Sequence, residues 1–141
     1  MVLFMVPLLI AQFGGDLTRA IVFWAAARAS VGHMNTANRF RPEAGGGVFP
    51  DSHRRPVSIL GLADSLAMPY ETVRRHVQRL VADGLCERTG SREFLIRAEV
   101  LERPEMQRLI RRVASRSLEF SERVARARIE ASDREGCEAG P

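Results

Sequence analysis

Lysine is missing from all 141 residues, so arginine carries each of the 21 permanent positive charges. That absence removes the Gly-Lys-Ser/Thr element of a phosphate-binding loop. The run Gly45-Gly46-Gly47 therefore does not read as a nucleotide cradle. Cysteine is scarce as well. Cys86 and Cys137 stand far apart outside any motif, which excludes a disulfide framework and a thiolate zinc site and fits a reducing compartment. The three histidines, His33, His53 and His76, have no Cys, acid or second His at ligand spacing. There is no HExxH, no serine at a strand-turn-helix elbow and no paired carboxylates in a plausible pocket. The expectation is a protein that is not an enzyme and needs no cofactor and no metal.

What is present is basic charge. The formal net charge is +4 and the isoelectric point is near 10.3, which favours a polyanionic partner. An all-arginine set reflects composition bias first. Its physical effect stands regardless, because the planar guanidinium fork pairs with phosphate and guanine in a way an ammonium cannot. The length fits one domain with extensions.

The most patterned stretch is 56–98, PVSILGLADSLAMPYETVRRHVQRLVADGLCERTGSREFLIRA. Val57 reads as a short extended segment and Ser58 as an N-cap. A helix is expected over Ile59–Leu66, with Leu62, Ala63 and Leu66 on one face. Ala67, Met68 and Pro69 form a turn. A second helix is expected over Tyr70–Asp83, stopped by Gly84. Val73, Val77 and Leu80 make its buried stripe, with Tyr70 and Val81 at the edge. His76 lies at that edge as a packing residue. The outer face carries Glu71, Arg75, Gln78 and Arg79, flanked by Thr72 and Arg74. Arginine can bond guanine O6 and N7, glutamine can pair with adenine, and glutamate can accept from cytosine N4. The plainer alternative is a solvated face with a Glu71–Arg75 ion pair four residues apart. Leu85–Arg88 and Phe94–Arg97 read as two strands around the Gly90-Ser91 turn, with Cys86 half-buried. Arg88, Ser91 and Arg92 at this hairpin are placed to meet phosphates or a minor groove.

The ordered set Pro-Val-Ser, Leu-Ala-x-x-Leu, Glu-Thr-Val-Arg-Arg-x-Val-x-x-Leu, Gly-Leu and a basic hairpin resembles the bacterial winged helix-turn-helix transcription regulators of the MarR/IclR/GntR-like group. The resemblance covers about a third of the chain. It implies a mainly α fold with a small β-hairpin wing, and sequence-specific binding of double-stranded DNA, usually as a dimer. The implied DNA-binding set is Tyr70, Glu71, Thr72, Arg74, Arg75, Gln78, Arg79, Arg88, Ser91 and Arg92. One departure is Ala67, where many such domains carry glycine. An alanine there is expected to keep φ negative.

The flanking segments complete the reading. Residues 1–34 comprise an apolar segment and a helix. Met1–Phe13 has no positive n-region or cleavage site and is too short to span a bilayer, so it is expected to pack on the domain or on a second subunit. Asp16 caps a helix over Leu17–His33, with Leu17, Ala20, Ile21, Trp24, Ala27 and Val31 facing the core. Val22, Phe23 and Ala26 are left as surplus for a dimer interface. Residues 35–55 read as a long flexible loop ending in Arg54 and Arg55, which either meet phosphates or stay solvated. Residues 99–131 lead into a helix over Glu105–Ala131. Met106, Ile110, Val113, Ser117, Phe120, Val124, Ala127 and Ala131 form its heptad-like seam. Arg108, Arg111, Arg112 and Arg116 read as a solvated face of this helix. A small molecule could bind between the terminal helices, though nothing specifies one. Residues 132–141 read as a disordered tail.

The expected architecture is a winged helix-turn-helix with N-terminal and C-terminal dimerisation helices, homodimeric, cytoplasmic and off the membrane. The competing readings are a winged-helix protein-interaction module without sequence-specific DNA binding, prompted by the apolar first 31 residues, and a membrane-tethered regulator.

Overall fold

The computed structural model describes residues 6–7, 10–32 and 48–138, with side chains through residue 128. Asp16 opens helix α1 (Leu17–Val31), and its carboxylate accepts the Arg19 N–H at 2.9 Å. The inward face of α1 differs from the expected one. Val22, Phe23 and Ala26, assigned to a subunit interface, are buried within the chain, whereas Leu17 and Ile21 are 37% and 39% exposed. The reason is that α1 meets several neighbours at once. It packs on both helices of the 56–98 stretch and on its strands, while Phe13 folds back on Phe23 with ring centroids 5.2 Å apart. Trp24 is half-buried, edge-on to Phe23. The expected end of this helix at His33 and most of the 35–55 loop lie outside the described residues.

The chain is described again from Val48. A turn of 3₁₀ helix, Asp51–His53, leads to strand β1 (Val57–Ser58) and helix α2 (Ile59–Leu66). Ser58 caps α2 as expected, its Oγ accepting from the Gly61 N–H at 2.9 Å. Helix α3 spans Tyr70–Ala82 and buries Val73, Val77 and Leu80. Strands β2 (Glu87–Arg88) and β3 (Glu93–Leu95) follow, then α4 (Ala98–Glu102) and α5 (Pro104–Glu138).

Helices α2 and α3 end in the same way. After α2, the Met68 N–H bonds Ala63 O at 3.0 Å and the Ala67 N–H bonds Asp64 O at 3.2 Å. After α3, the Leu85 N–H bonds Leu80 O at 2.9 Å and the Gly84 N–H bonds Val81 O at 3.0 Å. Both are Schellman motifs, which need a left-handed residue at the pivot. Gly84 adopts φ +66° without a Cβ penalty, and Ala67 adopts φ +51°. The expectation of a negative φ at Ala67 is therefore corrected. Two backbone bonds and the packing of Met68 against the core hold alanine where glycine fits more easily.

The sheet has three strands in the order β1-β3-β2, all antiparallel, so the expected hairpin is extended by Val57–Ser58. Val57 pairs with Phe94, and Phe94 also pairs with Arg88. Phe94 thus sits on the central strand, fully buried. Cys86, expected to be half-buried, is buried. Desolvation pushes its thiol up to about 12.

Two further expectations change. Arg54 is neither solvated nor placed for phosphate, being 8% exposed. Its guanidinium donates to Phe49 O at 3.0 Å, Ser30 Oγ at 3.2 Å and Ile96 O at 3.5 Å. The 48–55 end of the expected loop is thereby built into the body. Asp51 adds to this by accepting the Ala98 N–H at 2.7 Å, so it caps α4 from 47 residues upstream. Helix α5 begins at Pro104, a favoured first helical position, and continues to Glu138 beyond the expected end at Ala131. No proline interrupts the sequence before Pro141, so the turns propagate through the segment read as a disordered tail. Met106 and Leu109 bury the start of α5 against the body, whereas residues 118–128 are all exposed. The fold is mainly helical with one small antiparallel sheet.

Candidate nucleic-acid interface

Helix α3 is fixed to the body on its inner side and at its C-terminal end. Beyond the buried stripe, Arg19 forms an ion pair with Asp83. Asp16, already the cap of α1, also faces α3. Its Oδ2 lies 3.8 Å from Arg79 Nη1 and 3.6 Å from His76 Nδ1, the latter too long for a hydrogen bond. One carboxylate thus caps the start of one helix and faces the Arg79 and His76 side chains of another. The sequence marks Asp16 as a cap and gives no sign of this second role, which depends on how α1 crosses α3.

The outer face of α3 is open. Glu71, Arg75, Gln78 and Arg79 are exposed, Thr72 and Arg74 are half-exposed, and Tyr70 is 36% exposed at the first turn. The expected Glu71–Arg75 pair is replaced by Glu71–Arg74. The Arg74 Nε and Nη2 donate to the two Glu71 oxygens at 2.7 and 2.5 Å. An i,i+3 spacing allows this bidentate fork. The hydrogen bond from Arg74 holds the Glu71 carboxyl below the usual carboxylate range, and the same contact raises Arg74. Glu71 also lies in the first helical turn, where a negative charge suits the helix dipole. This pairing leaves Arg75 and Gln78 without hydrogen-bond or ion-pair partners among the described residues.

The β2–β3 hairpin carries the second group. Thr89, Gly90, Ser91 and Arg92 are exposed. The Arg88 guanidinium turns inward and donates to Ser91 O at 2.7 Å, so it braces the turn. The Arg92 carbonyl accepts the Ile59 N–H at 2.9 Å, which ties the hairpin to the start of α2. Arg92 itself has no side-chain partner among the described residues. At the hairpin base Arg97 donates to Glu87 at 2.5 Å and reaches Asp51 at 3.5 Å; the Glu87 contact raises its pKa most. No hydrogen bond or ion pair among the described residues joins the α3 face to Arg88, Ser91 or Arg92. The ten expected residues therefore form two groups on one framework.

Sequence reading missed the Asp51–Arg54–Ser30 cluster. Its one local signal is Pro50-Asp51-Ser52-His53-Arg54-Arg55-Pro56, an acid and a base three apart between prolines. Among the described residues, no three His, Cys, Asp or Glu side chains gather as a metal site, and no helix is long and apolar enough to cross a membrane. No family model, curated protein or solved structure matches the chain.

Proposed function

We propose that this chain is a cytoplasmic winged helix-turn-helix transcription regulator that binds double-stranded DNA in a sequence-specific way as a homodimer. In this reading α3 enters the major groove, with Arg75 and Gln78 on base edges and Tyr70, Thr72 and Arg79 near phosphates. The β2–β3 hairpin is the wing, with Arg92 on the adjacent backbone or minor groove. Arg74 and Arg88 are committed to Glu71 and Ser91, so they position the face more than they read it. The observation that carries the reading is an exposed arginine-glutamine face, with no hydrogen-bond or ion-pair partner at Arg75 or Gln78 among the described residues, on a helix packed to the body by its opposite side. The dimer seam is assigned to α5, where Leu118, Phe120 and Val124 are exposed, with Leu17 and Ile21 of α1 as further apolar surface.

The test is fluorescence anisotropy with the gene's own upstream duplex and a scrambled duplex across a salt series. Specific binders of this kind prefer their site by about a thousandfold or more. Arg75→Ala should lose affinity by about 1–3 kcal/mol and relax the preference at one base position. Arg92→Ala should weaken binding to every sequence and lower the salt slope by about one. Retention of full affinity and preference in Arg75→Ala would remove α3 from the recognition role. The alternative, a winged-helix protein-interaction module, draws on the same exposed α5 residues and is favoured if both duplexes bind weakly and alike.

A further inference from the structure

The first half of α5 and the segment before α1 line an open groove of about 860 Å³. One wall is Ala11 and Gln12. The other is a ladder of Arg108, Arg111, Arg112 and Arg116, with Leu109 beneath and Glu105 and Glu119 at the two ends. Successive turns of one helix face build the ladder. Residues four apart lie about 6 Å from one another along the helix axis, so Arg108, Arg112 and Arg116 leave the backbone at that repeat.

Charge is unbalanced inside the groove. Arg116 pairs with Glu119 at 3.2 Å. Arg108, Arg111 and Arg112 have no carboxylate partner among the described residues, although Glu105 is on the same rim. Like charges at i,i+4 repel one another, so a ladder of this kind costs stability unless an anion lies across it. A flat helix face would leave that anion to solvent counterions. Here Ala11 and Gln12 form the second side, and exposed Ala11 and the aliphatic stems of the arginines supply apolar surface above buried Leu109. The volume is in the range that holds a small organic molecule.

We propose that this groove binds a small organic dianion with an apolar body, its acidic groups about 6 Å apart so that they meet successive rungs of the ladder. The fork of each arginine takes one acidic group, Gln12 offers an amide, and Ala11 with the aliphatic arginine stems meets the body of the ligand. The two terminal carboxylates argue against an extended nucleic-acid backbone in the same place. A phosphate chain running along the ladder would meet Glu105 at one end and Glu119 at the other, whereas a compact dianion stops short of both. The inference is independent of the DNA-binding reading, and either can fail without the other.

Terephthalate is a suitable probe, because its para carboxylates match the spacing and its ring supplies the apolar body. Isothermal titration of the full chain should show terephthalate binding at least tenfold more tightly than benzoate, which has one carboxylate, and than inorganic phosphate, which has no apolar body. Arg108→Gln and Arg112→Gln should each lower terephthalate affinity at least tenfold. Arg126→Gln, farther along the same helix, should leave it unchanged. These side chains are exposed, and unchanged thermal melting of each variant establishes that it folds. Failure of terephthalate to bind, equal binding of benzoate or phosphate, survival of binding in both groove variants, or an equal loss in Arg126→Gln would each overturn the proposal.

Discussion

Helices α1 and α5 both carry more apolar residues than one narrow stripe requires, and the chain treats them in opposite ways. The surplus of α1 is consumed internally: Val22, Phe23 and Ala26 are covered by α2, α3, the sheet and Phe13. The surplus of α5 is not. Met106 and Leu109 are buried, but Leu118 is 63% and Val124 48% exposed farther along the same helix. An amphipathic pattern states that a face wants covering. It does not state whether the cover comes from the same chain. That depends on how many elements reach the helix, and beyond Val113 no other element packs on α5 closely enough to bury a side chain among the described residues.

The largest effect should separate these two helices directly. Phe23→Ala removes a fully buried ring and should cost about 3–5 kcal/mol, seen as a lower urea midpoint. Phe120→Ala removes the same ring from α5 and should leave the urea midpoint unchanged at concentrations where the chain is monomeric. It should instead weaken self-association, measured by sedimentation equilibrium. A large midpoint loss in Phe120→Ala would mean that α5 is covered by its own chain. Arg54→Ala comes next. It leaves Phe49 O, Ser30 Oγ and Ile96 O without their shared donor and should cost about 3 kcal/mol, read from the same denaturation curves.

Much of the body is visible in the sequence, because its signals are local. Ser58 and Asp16 cap helices, Gly84 ends one, and Val73, Val77 and Leu80 share a face at helical spacing, all decided within a few residues. The departures come from contacts between distant segments. The inner face of α1 is selected by the neighbours that surround it, Arg54 is buried by Ser30 and Ile96, and the cap of α4 comes from Asp51. The candidate interface shows the same division. Its exposed residues follow from the periodicity of α3. The choice of Arg74 over Arg75 as the partner of Glu71 depends on side-chain geometry that spacing alone leaves open.

The two Schellman helix ends should respond in opposite directions to exchange of their pivot residues. Ala67 and Gly84 occupy equivalent positions at two helix ends. Gly84→Ala should destabilise by about 1 kcal/mol, because alanine pays for a left-handed backbone that glycine adopts freely. Ala67→Gly should stabilise by several tenths of a kcal/mol, the gain being reduced by the greater freedom of glycine in the unfolded chain. Thermal melting of the two variants should shift in opposite directions.

The last effect is a dependence on pH, confined to alkaline solution. The Cys86 thiol titrates near 9.0 in the ordinary case and is raised to about 12 by burial. A raised value in the folded chain means that unfolded molecules lose this proton first as pH rises. The contribution is therefore complete below pH 9.0 and declines between 9.0 and about 12. Cys86→Val should flatten the fall of stability across that window, as followed by urea midpoints. An identical slope in the variant would place the titrating group elsewhere.

Ser30 ties two distant points of the chain together. Its carbonyl accepts the Arg55 N–H at 2.9 Å and its hydroxyl accepts from Arg54 at 3.2 Å, so two points about 24 residues apart in sequence are joined at one residue. The two ends of the intervening sequence are fixed at one residue, and lengthening a connection between fixed ends is cheap, since doubling a loop costs only about 0.6 kcal/mol in closure entropy. A reporter protein or an affinity sequence spliced between residues 33 and 47 should therefore leave the Ser30 clasp closed, as checked by an unchanged thermal melting temperature.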